Sequence, residues 1–565
     1  MARRVRPVRA WQLPETVAAP QGNAALVDAV LEQHLVRTLG ALPLLLPILE
    51  RLGLREVVNQ HCQPADSEAD LDVGLMTLAL VSNRLLAPQP LVHVEEWLAQ
   101  TALPDLLGFD AGQANDDRLA RTLDALVPHL ESVWQELVLR AIVTFDLDLS
   151  QLCYDLTSIS FFGAYEEADL ITYGYSRDHR PDCKQVEIAA TVTAAGGVPI
   201  DYHMLAGNVA DCTTPVANLR RLQRLLALLP ARPPGQPLPL VISDRAMLTL
   251  ESIAAYEASG VRYLGPLDPG LGHGAVRDLL AAVTAEELAA SPLGYRPQRA
   301  VGDPAWEPYQ GVPRRLLLAH PAVSRPSLEV RALVVWSPGK ARLDAGLRAA
   351  HLTRLEAALT DLAGKTGRRP YTTKATVERR LAALLARQPA RQFVTVRVEE
   401  HAASVPPEAT LTLRLVWTHD AAALAQASAL DGRYVLGTND PSLDPEPMLA
   451  SAKRRDVPEK RFALVKGPLA VRPVYLHKQN RIQALVFCTM VALLVFALLE
   501  LLAHRIGFAA SGRALLTQFA SLAVLILVLH DGSVLRRVTG LAPPLAAILH
   551  ALGFPPADRY ALRQD

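Results

Sequence analysis

The sequence predicts an α/β protein with a helical first segment and a β-rich interruption, and three observations carry that expectation. Apolar residues recur at helical spacing through roughly the first 142 residues. Short apolar, β-branched runs alternating with helical stretches begin near Val143. A long stretch between about 266 and 430 leaves that alternation, which resumes at RYVLGTND (Arg433–Asp440).

In the first segment, LVDAVLEQHLVRTLGALPLLLPILERLGL and DVGLMTLALVSNRLL carry the helical periodicity, punctuated by Pro and Gly. Its acidic tracts EADLD and DDRLARTLD predict a solvated face rather than a broad DNA-binding one. LCYDLTSISFF predicts a strand, and VEIAATVTAAGGVPIDYHMLAG a hairpin turning at Ala195-Gly196-Gly197. A helix follows over Thr213–Leu229, with Asp211 or Thr213 as its cap. Next come a strand holding Val241 and Ile242, a helix from about Thr249 to Ser259, and the short strand VRYLGPL. This is the order of a ribonuclease-H-like sheet, although order alone supports that fold only weakly. The interruption holds β-rich pieces (LEVRALVVW, FVTVRVEE, TLTLRLVWT) and two amphipathic helices, near AGLRAAHLTRLEAALTDL and TVERRLAALLAR. The expected division is therefore 1–142 helical, 143–265 the first part of the α/β sheet, 266–430 an inserted β-rich domain, 431–510 the second part of the sheet, and 511–565 tail helices.

With 565 residues there is ample core to bury, and a formal net charge of zero announces no global attraction to nucleic acid. The five cysteines are scattered, with no C-x-x-C pair. Neither a zinc site nor a disulfide framework is indicated, which fits a reducing cytoplasm. The arginines of MARRVRPVRAWQLPE precede no apolar run, so no secretory signal is expected. Ile482–Leu502 is 21 residues long with one charge, Glu500, and its length alone would let it span a membrane. A helix apolar all round can equally be a core helix. GKTG at Gly364–Gly367 is not a phosphate loop, because Leu359 stands where that motif needs glycine.

The chemistry centres on carboxylates in apolar strands. In LPLVISDRAML (Leu238–Leu248) an apolar run ends on Asp244, and an unpaired buried carboxylate costs several kcal/mol. One explanation is a helix cap for the segment that follows. The other looks to Asp155, near the centre of the YDLTSI strand. Two carboxylates on neighbouring strands repel unless a cation neutralises them, and hard oxygen ligands suit Mg²⁺. A third candidate, Glu459, lies in a basic stretch. From Lys453 to Arg481 nine Lys/Arg face Asp456 and Glu459, a local net of 9 − 2 = +7 that could track phosphates or could be a solvated helix face. Asp456-Val-Pro-Glu459 also fits a helix start, with Asp456 as cap.

YDLTSISFFG, GYSRDHRPDCKQVEIAATVTAAGGVPIDYHMLAGNVADCTT and VISDRAML together resemble DDE transposases of bacterial insertion sequences. The likeness is to the branch with a β-rich insertion between the second Asp and the Glu, and it continues in DGRYVLGTND and EKRFALVKGPLAVRPVYLHKQNRI. It spans about Asp148 to Ala503. The resemblance implies catalytic and metal-binding roles for Asp155, Asp244 and Glu459, holding Mg²⁺ or Mn²⁺, two ions in all. It implies DNA contacts by Arg455 and Lys466, with Lys460 and Arg461 as weaker candidates. Arg177 and Lys184 would either reach the same DNA or serve as salt-bridging residues of the hairpin. The implied partners are double-stranded transposon ends and target DNA, bound by a homodimer in the bacterial cytoplasm without stable membrane association. In the family's Tyr-x2-Arg-x3-Glu-x6-Lys signature, Arg455, Glu459 and Lys466 fit, while Ala452 stands at the Tyr position and Pro458 precedes the Glu. The alternative is thus a decayed copy that binds DNA without cutting it.

Overall fold

The computed structural model describes residues 34–62, 71–166, 168–178, 180–230, 237–297, 306–319, 327–402, 411–469, 476–528 and 534–561. His179 of GYSRDHRPD and the VRPVY portion of the C-terminal block lie outside the described residues. The chain forms two compact units, Met1–Met247 with Arg454–Asp565, and Leu248–Lys453.

The first unit begins with β1 (His34–Thr38), α1 (Leu42–Leu52), α2 (Leu54–Cys62), α3 (Val73–Leu86), α4 (Leu91–Gln100), α5 (Asp116–Leu126) and α6 (Leu130–Thr144). It continues with β2 (Gln151–Phe161), β3 (Lys184–Thr193), β4 (Pro199–Ala206), α7 (Pro215–Leu228) and β5 (Leu240–Ser243). The second unit holds α8 (Leu250–Ser259), β6 (Arg262–Pro266), β7 (Pro292–Leu293), β8 (Tyr309–Leu318), β9 (Leu328–Trp336), α9 (Pro338–Lys365) and α10 (Lys374–Leu385). It closes with β10 (Val394–Ala402), β11 (Leu411–His419), β12 (Arg433–Thr438) and α11 (Pro445–Ala452). The chain returns to the first unit through α12 (Asp456–Lys466), α13 (Gln479–Arg505), α14 (Gly512–Phe519), β13 (Ala523–Val528), β14 (Val534–Thr539) and α15 (Pro543–Ala551).

Within the first unit the strands run β4-β3-β2-β5. The β2/β3 and β3/β4 pairs are antiparallel, and β2/β5 is parallel. The β3–β4 hairpin turns where the sequence places it, on Gly196 (φ 81°) and Gly197 (φ 56°), left-handed positions that favour glycine. Thr214, without a side-chain cap bond, replaces the expected Asp211 or Thr213 at the start of α7, because Pro215 fixes the first helical position.

The long apolar stretch is α13, whose residues from Ala484 to Leu499 are all buried, packed against α1, α3, α5 and β4. It is long and apolar enough to cross a membrane, and the unit covers it along its length. That burial accounts for a helix with no polar face. Its one interior hydroxyl, Thr489, donates to Leu485 O at 2.9 Å.

Two expectations are corrected by one small sheet. Helical periodicity was expected through HLVRT and helices throughout 511–565, yet β1 pairs antiparallel with β13, and β13 with β14. The β-branched and leucine-rich run AVLILV alternates partly buried and buried residues in β13, and its partner lies nearly 500 residues away in the chain, so local spacing could not reveal the ladder.

In the second unit the strand order is β6-β12-β9-β8-β7, antiparallel throughout. The pairing of β12 with both β6 and β9 moves the expected boundaries outward, from 266–430 to Leu248–Lys453. The β10–β11 hairpin, α9 and α10 share a core of their own, where Leu355, Leu359 and Leu362 meet Val377, Leu381, Phe393, Val398 and Leu415. Gly364 and Lys365 belong to the last turn of α9, and Lys365 pairs with Asp361 at 2.6 Å, so GKTG is a helix end.

Because Leu494 on α13 is fully buried, Leu494→Ala is expected to lower unfolding free energy by about 2–5 kcal/mol. Urea unfolding followed by circular dichroism would show a lower midpoint with the slope unchanged.

Candidate functional site

The parallel register of β2 and β5 places Tyr154 beside Ser243. The next residue along each chain is an aspartate, Asp155 within β2 and Asp244 just past the end of β5, and hydrogen-bonded strands run about 4.8 Å apart. The two aspartates therefore follow paired residues of neighbouring strands. Asp155 shares its strand face with Cys153, whose thiol donates to Arg454 O at 3.3 Å, so the chain entering α12 lies over that face. An Asp155 oxygen accepts the Leu156 N–H at 2.7 Å. Burial nevertheless pushes the Asp155 carboxyl up to about 7; Asp244 and Glu459 add repulsion, and Arg177 opposes it.

Asp244 is not a helix cap. The chain makes a tight turn beyond it, with Met247 N donating to Asp244 O at 3.1 Å. Thr249 caps α8 instead, bonding Ser252 reciprocally (Ser252 N to Thr249 Oγ1 3.1 Å, Thr249 N to Ser252 Oγ 2.9 Å). The Asp244 side chain is half exposed, and its oxygen lies 3.2 Å from Arg455 Nη1.

Glu459 sits in the first turn of α12, a position favourable to a carboxylate, and is exposed. The helix begins at Asp456 with Arg455 as N-cap, one residue earlier than a cap at Asp456 would place it. Pro458 therefore occupies the third helical position, where the backbone nitrogen has no intrahelical acceptor. It neither breaks nor distorts the helix. Ala452 ends α11 and is buried.

The expected DNA contacts divide. Arg455 is half exposed beside Asp244, and Lys460 is largely exposed, pairing along the helix with Asp456 at 2.8 Å. Arg461 is corrected: its side chain is buried, donating to Gly197 O at 3.0 Å and Gly196 O at 2.5 Å and pairing with Glu500 at 2.6 Å. Its guanidinium is used up inside the protein. Lys466 is also turned inward, its ammonium 2.9 Å from Asp178. Arg177 and Lys184 prove to be internal ties of the hairpin block. Arg177 donates to Leu156 O and Asp211, and Lys184 to Ala164 O and, at 3.1 Å, Tyr165 O.

Three acidic partners escaped the sequence reading. Glu187 on β3 is buried, 3.8 Å from Arg177, and accepts from Gln185 Nε2 at 3.2 Å. Burial pushes its carboxyl up to about 7, moderated by Arg177 and Lys466 and aggravated by Asp211 and Asp178. The signal was available: VEIAATV sets a carboxylate among apolar residues, as VISD does. Glu500 was legible in the same way, as the single charge in the run that became α13, whereas nothing local marks Asp211.

Asp155 within β2, Asp244 just past β5 and Glu459 on α12 are carboxylates of the hard-oxygen type that a divalent cation takes, and Asp244 and Glu459 both act on the buried Asp155 by repulsion. Among the described residues, no three His, Cys, Asp or Glu side chains are close enough to hold a metal ion as the side chains stand. The fold is that of a mixed α/β protein with a large mixed sheet and many helices. Residues 34–139 match the domain of unknown function DUF4277, a family found in transposases. The chain is also similar to a structure of the piggyBac transposase synaptic complex with hairpin DNA. The TM-score is 0.39 at 7% identity, with 84% of this chain and 79% of that chain covered. No curated protein matches the sequence.

Removing the buried Arg461 as Arg461→Ala strands Glu500 and is expected to cost about 3–5 kcal/mol, whereas Lys460→Ala should stay within about 0.5 kcal/mol; urea midpoints compare them directly. Glu187 titrates upward in the folded state, from 4.5 to about 7. Its contribution to stability is full below about pH 4.5 and is lost as pH rises through 7. Glu187→Gln should flatten that fall and be more stable than the parent at pH 8 by roughly 1–3 kcal/mol, read from unfolding curves across pH.

Proposed function

We propose that this protein is a transposase of the ribonuclease-H-like DDE type, cutting and joining DNA at the ends of an insertion sequence. The observation that carries the reading is that Asp155 and Asp244 follow paired residues of β2 and β5, with Asp244 and Glu459 both acting on Asp155 by repulsion. The β4-β3-β2-β5 order, with β5 parallel to β2, supports it, since a ribonuclease-H-like sheet has this arrangement. So does the occurrence of the matched domain in transposases.

Asp155, Asp244 and Glu459 would hold Mg²⁺ or Mn²⁺, which when bound supplies Lewis-acid stabilisation of an in-line phosphodiester displacement. Asp155 is held within the strand ladder and Asp244 directly follows it, and their side chains, with that of Glu459, would have to draw together to take the ion. Arg455, next to Asp244, and exposed Lys460 would contact the phosphate backbone of the transposon end. The reading implies duplex DNA as partner, a homodimer on paired ends, and action in the cytoplasm.

The test is strand cleavage by the full-length protein on labelled duplex carrying the ends of its own element, with Mg²⁺. Cutting at the terminus is expected, falling by roughly 10²–10³-fold in Asp244→Ala, the range for losing one electrostatic contact to the transition state. Arg455→Ala and Lys460→Ala should each lower the slope of log affinity against log salt by about one. Cleavage that survives Asp244→Ala, or DNA binding without cutting in both Mg²⁺ and Mn²⁺, would overturn the catalytic reading, and the second outcome identifies a decayed copy.

A further inference from the structure

The loop between β2 and β3 carries Arg177 and Asp178 as neighbours in sequence, and their side chains reach the two elements that bear the outer members of the carboxylate site. Arg177 donates to the carbonyl of Leu156, the residue directly after Asp155. Asp178 holds Lys466 at 2.9 Å. Lys466 and Glu459 are seven residues apart on α12, which puts them on one helix face about 10.5 Å apart along the axis. We infer that Arg177 and Asp178 are positioning residues, a two-residue staple that fixes the strand of Asp155 and the helix of Glu459 at one spacing. The inference rests on the transposase reading for its consequence, and it assigns Lys466 to the staple rather than to a DNA phosphate.

A staple needs a stiff back, and the loop has one. Thr172 and Gln185 exchange backbone hydrogen bonds (Thr172 N to Gln185 O 3.1 Å, Gln185 N to Thr172 O 2.8 Å). The Gln185 amide donates to Tyr175 O at 3.0 Å and Gly207 O at 2.8 Å. Gly174 lies so close to the β4 exit that a Cβ there would stand 1.8 Å from Gly207 O. Asp211 holds the second guanidinium nitrogen of Arg177. With the loop fastened to β3 and β4, the Leu156 carbonyl and the Lys466 ammonium are tied to one rigid body. Partly buried, charge-assisted bonds of this kind carry more weight than exposed ion pairs.

The test uses the full-length protein with Lys466→Gln, Asp178→Asn, the double variant and Arg177→Lys. Three quantities are read: Mn²⁺ affinity by calorimetry, hydrogen exchange over residues 456–466, and duplex affinity in EDTA. Each variant is expected to weaken Mn²⁺ binding by about 10–100-fold, as loss of a ligand's outer support does. The Lys466/Asp178 double variant should be no worse than either single, since the two act as one contact. Lys466→Arg and Asp178→Glu should restore affinity, exchange over 456–466 should quicken in both singles, and duplex affinity in EDTA should not move. The staple is overturned if Lys466→Gln weakens duplex binding while Asp178→Asn does not, because Lys466 is then a phosphate contact. It is equally overturned if Mn²⁺ affinity is unchanged in both singles. Absence of Mn²⁺ uptake by the unsubstituted protein sinks the transposase reading instead. The staple is then judged on exchange alone, with quickening over 456–466 in both singles supporting it and unchanged exchange overturning it.

Discussion

The buried pair of Arg461 and Glu500 is the constraint on which the placement of the site depends. Two charges removed from water are costly, and such a pair persists only where its remaining hydrogen-bonding capacity is met. Here it is met: the guanidinium takes the carbonyls of Gly196 and Gly197, and Glu500 accepts the Gly512 N–H at 3.0 Å. One interaction therefore ties the β3–β4 hairpin, α12, α13 and the start of α14. The left-handed glycines are part of it, because a Cβ on Gly197 would stand 2.6 Å from Arg461 Nε. Glu459 lies two residues from Arg461, so the geometry that buries the arginine also sets the rotation and height of the glutamate.

The three carboxylates are held by different means. Asp155 and Asp244 owe their adjacency to strand register, in which a slip of one residue would turn either side chain to the opposite face. Glu459 owes its position to side-chain ties on a helix of three turns. Burial lifts the Asp155 carboxyl first and repulsion from Asp244 and Glu459 adds to it, while the Arg177 guanidinium opposes the rise and Arg455 pairs with Asp244.

Much of this was legible in the sequence where a single local rule applied. The β3–β4 turn follows from two adjacent glycines after an alternating run, α13 from an unbroken apolar stretch, and the neighbouring positions of Asp155 and Asp244 from acids set in or just after apolar strands. The failures share a cause. β1 and β13 lie at opposite ends of the chain, and β12 was assigned to one sheet segment while it pairs with β9 from the insertion; in each case the partner that decides the structure is remote. The capping explanation for Asp244 was locally sound and lost to Thr249 five residues on, whose reciprocal bond with Ser252 is the better cap.

The basic stretch from Lys453 to Arg481 shows why charge counted along a chain misstates a surface. Its net of +7 suggests a continuous phosphate-tracking ribbon. In space the cations scatter. Lys453 lies over the rings of Tyr309 and Tyr434, Arg461 is buried against Glu500, Lys466 meets Asp178, and Arg481 forms a forked pair with Asp124 at 2.6 and 2.8 Å. A cation turned inward against a carboxylate or a carbonyl cannot reach a phosphate, so it adds nothing to the salt dependence of binding, whereas an exposed and loosely paired one can exchange its partner. What remains beside the carboxylates is a small set led by Arg455 and Lys460. On the proposed reading, contacts so few would position a DNA end rather than hold a long duplex.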